Sequence, residues 1–405
     1  VIPYLSVAKG YLQGHNVINI SSISNVLEQV VRILVIIAGS FLAIKVFHLS
    51  YVVGVMVALS GAFLGGLVSY FYVKNKMNKN KKELGLVEQK KKDKITNKEI
   101  AKKLASYAIP YVIINSVSSL YSFIDMILVL RGLELMGYAT SDIEFISSSI
   151  STWAGKINMI VISIAMGMTI SLIPSIVHAY TLKKWDDVNN KINAAFKIIA
   201  FVSLPMAIGL SLLSSEVWQV FYGASKIGAT ILSVSVFVAV TLNFYMITSS
   251  IMQSLNKYKT VYIATICGLL SNAIFDIPFM YLLNFVGLPA YIGPLVSSII
   301  GYMLSVFINL RTIKKEEKQI NYKDSLKTMG KILVPSLVMF IVIFVLKSVI
   351  SFSATSRLKA ILIIIFYAVI GVVIYGGISY KMGLLDEVLG KNLLNKITKK
   401  LKREV

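Results

Sequence analysis

A single cysteine, Cys267, and three histidines (His15, His48 and His178) are all the thiol and imidazole chemistry in 405 residues. One cysteine excludes an intramolecular disulfide. The histidines are too far apart for metal-ligand spacing. Acidic residues are also scarce, 19 against 41 Lys and Arg, for a formal charge of +22. No nucleotide-binding loop, nucleophile elbow or HExxH helix is present. The sequence therefore predicts neither an enzyme nor a resident cofactor. The basic residues are scattered over separate segments with no recognition motif among them, which excludes a nucleic-acid partner.

What the chain has instead is apolar length. Hydrophobic residues make up 56% and the mean hydropathy is +0.74. Ten stretches, 20–43, 51–73, 106–131, 153–180, 195–213, 228–252, 260–284, 290–310, 331–350 and 358–380, are each able to cross the roughly 30 Å of bilayer hydrocarbon. The fold class predicted is all-α, a polytopic transmembrane helix bundle. Lys9, the 74–103 linker, the 181–197 loop, the 253–260 turn, the 311–331 loop and the 381–405 tail hold 33 of the 41 basic residues. Ten spans put all of these on one side, and the positive-inside rule makes that side and the C-terminus cytoplasmic. The same lysines attract anionic membrane lipid. The opening segment Val1–Leu12 is too short to cross and reads as the end of a span, so we expect an N-terminally truncated chain.

Basic segments divide the chain. Residues 1–73 form a partial unit, 74–103 a linker with twelve lysines and four acids, and 104–310 a six-helix unit. A basic loop at 311–330, a helix pair at 331–380 and a basic tail at 381–405 follow. The first part of the linker is expected to be mobile. Thr96 and Glu99 have capping-box spacing, which predicts a helix start there. A weak internal echo links Gln13-Gly14-His15-Asn16 to Gln253-Ser254-Leu255-Asn256, each followed by a polar pair four residues apart, Glu28/Arg32 and Asn272/Asp276. Six of the eight prolines (Pro110, Pro174, Pro205, Pro278, Pro294 and Pro335) fall in the spans and predict bent helices lining a cavity.

Polar residues inside spans carry the functional argument. Asp125, Asp276 with Asn272, and Ser297-Ser298 after Pro294 lie on three different spans, each roughly 9–12 Å from the outer end of its helix. A carboxylate at that depth costs several kcal/mol unless neutralised, and no intramembrane lysine or arginine sits at that level. The carboxylates, amide and hydroxyl are hard oxygen ligands, suited to an alkali cation or a proton. A hydrogen-bonded cluster that only packs helices is the competing reading. Glu28 and Arg32, opposite charges on one helix face, are expected to form a structural ion pair. Arg131 and Lys156 flank the loop between 106–131 and 153–180. Arg131 reads as snorkelling to headgroups. For Lys156 the alternative is contact with a substrate phosphate.

Several segments resemble a known family. Ala8–Gly14, Val26–Arg32, Ser118–Asp125 and Gly167–Ile176 are similar to MurJ-type lipid II flippases and the stage V sporulation protein B group. Both belong to the multidrug/oligosaccharidyl-lipid/polysaccharide exporter superfamily. The resemblance implies a two-lobe transporter with an extra terminal helix pair, of which the ten spans are helices five to fourteen. It implies a flippase moving an undecaprenyl-pyrophosphate-linked peptidoglycan precursor to the outer leaflet, with 331–380 grooved for the lipid tail. It further implies that Asp125, Asn272, Asp276, Ser298 and the Pro294 carbonyl match the sodium ligands of sodium-coupled members. Lys156 falls where the family keeps a cavity-facing arginine, and lysine there keeps the charge without the bidentate fork.

The expectation is thus a bacterial cytoplasmic-membrane flippase coupled to sodium or protons, with Arg131 and Lys156 as substrate contacts. Its partners would be a lipid-linked oligosaccharide, membrane lipids and cell-wall synthesis proteins. A flippase for teichoic or capsular intermediates, a cation-coupled drug exporter and a non-transporting envelope scaffold are the alternatives. The charge pattern makes one direct prediction: alkaline phosphatase fused at the C-terminus should be inactive in cells, whereas a fusion in the 213–226 connection should be active. The reverse pattern would invert the topology.

Overall fold

The computed structural model describes residues 2–14, 17–79, 96–350, 352 and 356–389. The mobility expected early in the linker and the His15-Asn16 part of the echo lie outside them. The chain divides into two compact units, Val1–Thr96 and Asn97–Val405.

The first unit holds α1 (Ile2–Gly14), α2 (Ile18–Leu34, prolonged by wide π-turns at Val35–Gly39 and Leu42–Val46) and α3 (Tyr51–Lys79). Glycines let α2 and α3 pack backbone to backbone: a Cβ on Gly65 would stand 2.5 Å from the Glu28 carbonyl oxygen. Ser24 and Ser69 share a buried 2.6 Å hydrogen bond across the same contact. The expected Glu28–Arg32 pair is corrected here. Glu28 is bonded at 3.0 Å by Lys9, which also donates to Asn25 at 2.8 Å, and no Glu28–Arg32 pair occurs among the described residues. Lys9 lies in α1, away from any loop, and its side chain is only 14% exposed. It therefore needs the counter-charge more than the exposed Arg32 does.

The second unit begins at α4 (Asn97–Leu135), which starts immediately after Thr96 with Glu99 in its first turn. Then come α5 (Thr140–Ser148), a π-turn at Ser149–Trp153, α6 (Ala154–Thr181), α7 (Trp185–Leu212), α8 (Ser214–Tyr222), α9 (Lys226–Ser254), α10 (Tyr258–Phe285), α11 (Gly293–Glu316), α12 (Lys323–Val349), α13 (Arg357–Lys381) and α14 (Leu384–Leu389). Nine helices among the described residues are long and apolar enough to cross a membrane. The remaining expected span, 106–131, lies within α4.

Several boundaries differ from expectation. Helix starts at Thr140, so the loop after Arg131 is short and Lys156 sits well inside a continuous helical run. Residues 140–150 are amphipathic, burying Ile143, Ile146 and Ile150 while exposing Asp142 and Glu144. Mean hydropathy does not register such a stretch, although its helical period does. Pro294 is at the N-terminus of α11, where its missing N–H costs nothing. Pro205, Pro278 and Pro335 do lie inside helices. The basic linker and loop are also shorter than their charge runs, because α3, α4, α11 and α12 continue into them.

Buried polar groups clamp the helices of this unit. Asn158 of α6 donates to the Ser235 carbonyl at 3.1 Å, and Asn243 of α9 returns the contact to Val161 at 2.9 Å. The helix pair α12–α13 is fastened to α7 and α8. Tyr375 donates to the Phe201 carbonyl at 2.7 Å. Lys347 caps α7 through the Leu212 carbonyl at 2.7 Å and pairs with buried Glu216 at 2.9 Å. At the other end of the unit, Lys331 and Thr328 both bond Glu387. Burial opposes ionisation of Glu387, yet these two donors and the Lys331 charge hold its carboxyl below the ordinary glutamate value.

The crossing of α10 and α11 is the tightest contact that bears on function. A Cβ on Gly268 would stand 2.6 Å from the Gly301 carbonyl oxygen and 2.7 Å from the Tyr121 hydroxyl. The carbonyl cannot yield without moving a helix. Gly268→Ala should therefore cost about 2 kcal/mol and lower Tm by several degrees. Gly209→Ala, with open space around the new methyl, should leave Tm unchanged or raise it.

Candidate functional site

The intramembrane polar residues singled out above converge. Asp125 comes from α4, Asn272 and Asp276 from adjacent turns of α10, and Ser297 and Ser298 from the second turn of α11. α4 runs four residues past its expected end, so Asp125 lies about 15 Å from that end, deeper than the spans implied. All five side chains are buried: Asp125 is 6% exposed, Ser298 1%, and Asn272, Asp276 and Ser297 0%. Helical spacing explains the local arrangement. Asn272 and Asp276 are four apart and share a face. Ser297 is three residues past Pro294 and bonds its carbonyl at 3.0 Å.

Asn272 is the hub. Its Nδ2 lies 3.1 Å from Asp125 Oδ1, 3.0 Å from Asp276 Oδ1, and 3.1 Å from each of the Ser297 and Ser298 hydroxyls. An amide nitrogen has two hydrogens, so four oxygens surround a group that can satisfy two. Ser298 donates to Asp125 Oδ2 at 3.0 Å, and Ser297 donates to Asp276 Oδ1. Asn272 Oδ1 and Asp276 Oδ2 have no partner, and neither has the nearby Tyr121 hydroxyl. No lysine or arginine bonds either carboxylate among the described residues.

This chemistry fits a small hard cation. Two carboxylates, two hydroxyls and a backbone carbonyl lie around or beside one point now held by an NH₂ group. A half-turn of the Asn272 amide would bring its orphaned oxygen to the same point. Such a set selects alkali ions or protons over softer metals. No group of three or more His, Cys, Asp and Glu side chains able to hold a metal occurs among the described residues.

Ser297 belongs to the cluster as fully as Ser298, although the ligand match covered only the latter. Its position one turn past a helix-starting Pro294 was the available signal. Tyr121, one turn before Asp125, was also missed, since a tyrosine in an apolar span ordinarily reads as packing. Arg131 and Lys156 are not brought to the cluster. Both are exposed, on α4 and α6.

This is a membrane-spanning, all-helical bundle with a buried oxygen cluster in one lobe. Residues 1–140 match the model of the polysaccharide biosynthesis protein family, and residues 147–277 match MatE. The lipid II flippase MurJ of Bacillus subtilis (strain 168) is 27% identical over 97% of this chain and 72% of its own length. A structure of lipid II flippase MurJ in an inward closed conformation superposes with a TM-score of 0.59 at 20% identity, covering 92% of this chain and 70% of that one. A MATE crystal structure in a straight conformation gives 0.56 at 19% identity, over 78% and 67%. The chain is thus similar to the lipid II flippase MurJ along nearly its whole length, and its all-helical fold is that of the MurJ and MATE transporter structures.

The hub geometry generates a stability prediction. Asn272→Leu removes the donor shared by both carboxylates and should lower stability by about 3 kcal/mol, read as a fall in Tm of the purified chain. Asn272→Leu combined with Asp125→Leu should recover part of that loss. An unchanged Tm in the single variant would mean that the amide does not hold the cluster.

Proposed function

We propose that this protein flips a lipid-linked cell-wall precursor, lipid II or a chemically similar undecaprenyl-pyrophosphate-linked sugar, from the inner to the outer leaflet of the cytoplasmic membrane. Cation binding at the Asp125–Asp276 cluster drives the cycle. The likeness to a lipid II flippase across nearly the whole chain carries the reading of cargo. The oxygen nest around Asn272 carries the reading of coupling. A ligand shifts a conformational equilibrium only by binding one state more tightly. A sodium ion or proton between the two carboxylates would draw α4 toward α10 and α11, and its loss would let them separate. Charge placement supports a cytoplasmic C-terminus.

An apolar groove of about 480 Å³ supports a lipid cargo. It is walled by α7, α9, α11 and α12, with Phe196, Phe237, Phe244, Met303, Leu326 and Met329 among its lining residues. Of the terminal pair only α12 contributes, so a lipid tail would lie along α12 and not between α12 and α13. Arg131 and Lys156, exposed on α4 and α6, remain the cations proposed to meet a phosphate. A drug exporter is the second reading, favoured by the MatE match. The firmly fastened α12–α13 pair weighs against a twelve-helix exporter.

In cells depleted of their own flippase, the protein in its full natural length should restore growth, and lipid II should stop accumulating. Asp125→Ala and Asp276→Ala should each abolish rescue at normal membrane abundance. Full rescue by both would remove cation coupling, and rescue without any change in lipid II would point to another cargo or to a scaffold.

A further inference from the structure

A second asparagine repeats the design of the first at the far end of the same lobe. Asn309 of α11 is 0% exposed. Its Nδ2 is loosely held, 3.3 Å from Thr248 Oγ1 and 3.4 Å from Ser249 Oγ, and its Oδ1 has no partner. Thr248 directs its own hydrogen to the Phe244 and Tyr245 carbonyls at 2.9 and 3.1 Å, which leaves its lone pairs for Asn309. An amide hydrogen bond of 3.3–3.4 Å is weak, and a buried amide oxygen without a partner costs about 1–3 kcal/mol. Turning the amide by half a rotation would aim three oxygens at one point, an arrangement that a cation or a shared proton stabilises.

The two nests are joined by buried polar groups. Asn309 lies eleven residues along α11 from Ser298, about 16 Å. Between them lie Tyr121 (3% exposed), Ser305 (1%), Thr265 (2%) and Tyr245 (1%). The Tyr245 and Thr265 hydroxyls are 2.6 Å apart. Tyr121 places its unpartnered hydroxyl at the Gly268–Gly301 crossing. Beyond Asn309 the lobe closes with Met252, Leu255 and Ile313, all buried. Past that plug Lys257 pairs with Glu316 at 2.8 Å and Glu317 at 3.5 Å. Polar groups thus run from the carboxylates to a thin apolar plug and an ion-paired end.

We propose that Asn309, Thr248 and Ser249 form an inner station for the coupling cation, through which it passes between the carboxylate cluster and the basic, Lys257-bearing side of the membrane. The proposal rests on the cation reading of the Asp125–Asp276 cluster. The station has no carboxylate, so it binds weakly and favours passage over storage. Sodium and a proton share this oxygen chemistry, and the test separates them.

The purified full chain is loaded with sodium-22, and equilibrium binding and release after isotopic dilution are both measured. Asp276→Asn should abolish equilibrium binding, which tests the underlying reading alone. Asn309→Leu should bind sodium within twofold of the wild type and release it at least tenfold more slowly, with Thr248→Val as a milder variant should the first fail to fold. Asn309→Asp should trap a second sodium per chain. If the wild type binds no sodium, the same release comparison is made for protons with a pH-sensitive dye after a pH jump. Slowed proton release in the variant supports the station. Wild-type release rates in both variants, for whichever cation binds, overturn it. Absence of any cation binding in the wild type removes both proposals.

Discussion

Two buried carboxyl groups, with no basic partner among the described residues, are the constraint around which the second unit is arranged. The polar groups that face them from α10 and α11 are neutral dipoles, one amide and two hydroxyls. Such a cluster is costly in a low-dielectric interior. It persists because three helices are held close enough to share it. The glycine crossing of α10 and α11 brings their backbones together. The reciprocal asparagine contacts hold α6 to α9. The lysine and tyrosine contacts of α12 and α13 brace α7 and α8. A cation entering the cluster would supply the missing charge, and so its binding energy would be felt directly as closer helix packing.

A chain built this way, if it binds a cation as proposed, would convert ion occupancy into motion without a hinge of special chemistry. α4 contributes a single carboxylate to the site, whereas α10 and α11 contribute the rest. An ion bound there would therefore bridge one helix to a tightly packed pair. Membrane interiors favour this economy, because no water is at hand to compensate a carboxylate that loses its partners. The apolar groove along α7, α9, α11 and α12 belongs to the same unit as the buried oxygen cluster. A lipid and a cation bound as proposed would thus act on shared helices, notably α11.

Much of this was legible in the sequence. Long apolar runs marked the helices, and lysine-rich breaks marked the connections. Asp125, Asn272, Asp276 and Ser298 stood out because hydrocarbon tolerates such residues only for a reason. Other features were hidden by the kind of signal used. α5 buries Ile143 and Ile146 but exposes two acids, so an average over residues conceals it. Glu28 found Lys9 instead of Arg32, because a contact between helices outweighed one along a helix. Pro294 and Ser297 acquired their roles from a helix start that hydropathy cannot locate to the residue. Asn309 and Tyr121 carry no distinguishing signal in the sequence, and their unpartnered atoms are visible only in the structure.

The most direct test is to locate a monovalent cation in an experimental structure. Crystals grown with thallium(I) in place of sodium would report the ion by its anomalous scattering. The account predicts a peak among Asp125, Asp276, Ser297 and Ser298, with the Asn272 amide turned so that its oxygen faces the ion. A peak elsewhere, or an amide nitrogen still seated between the two carboxylates at saturating thallium, would contradict it.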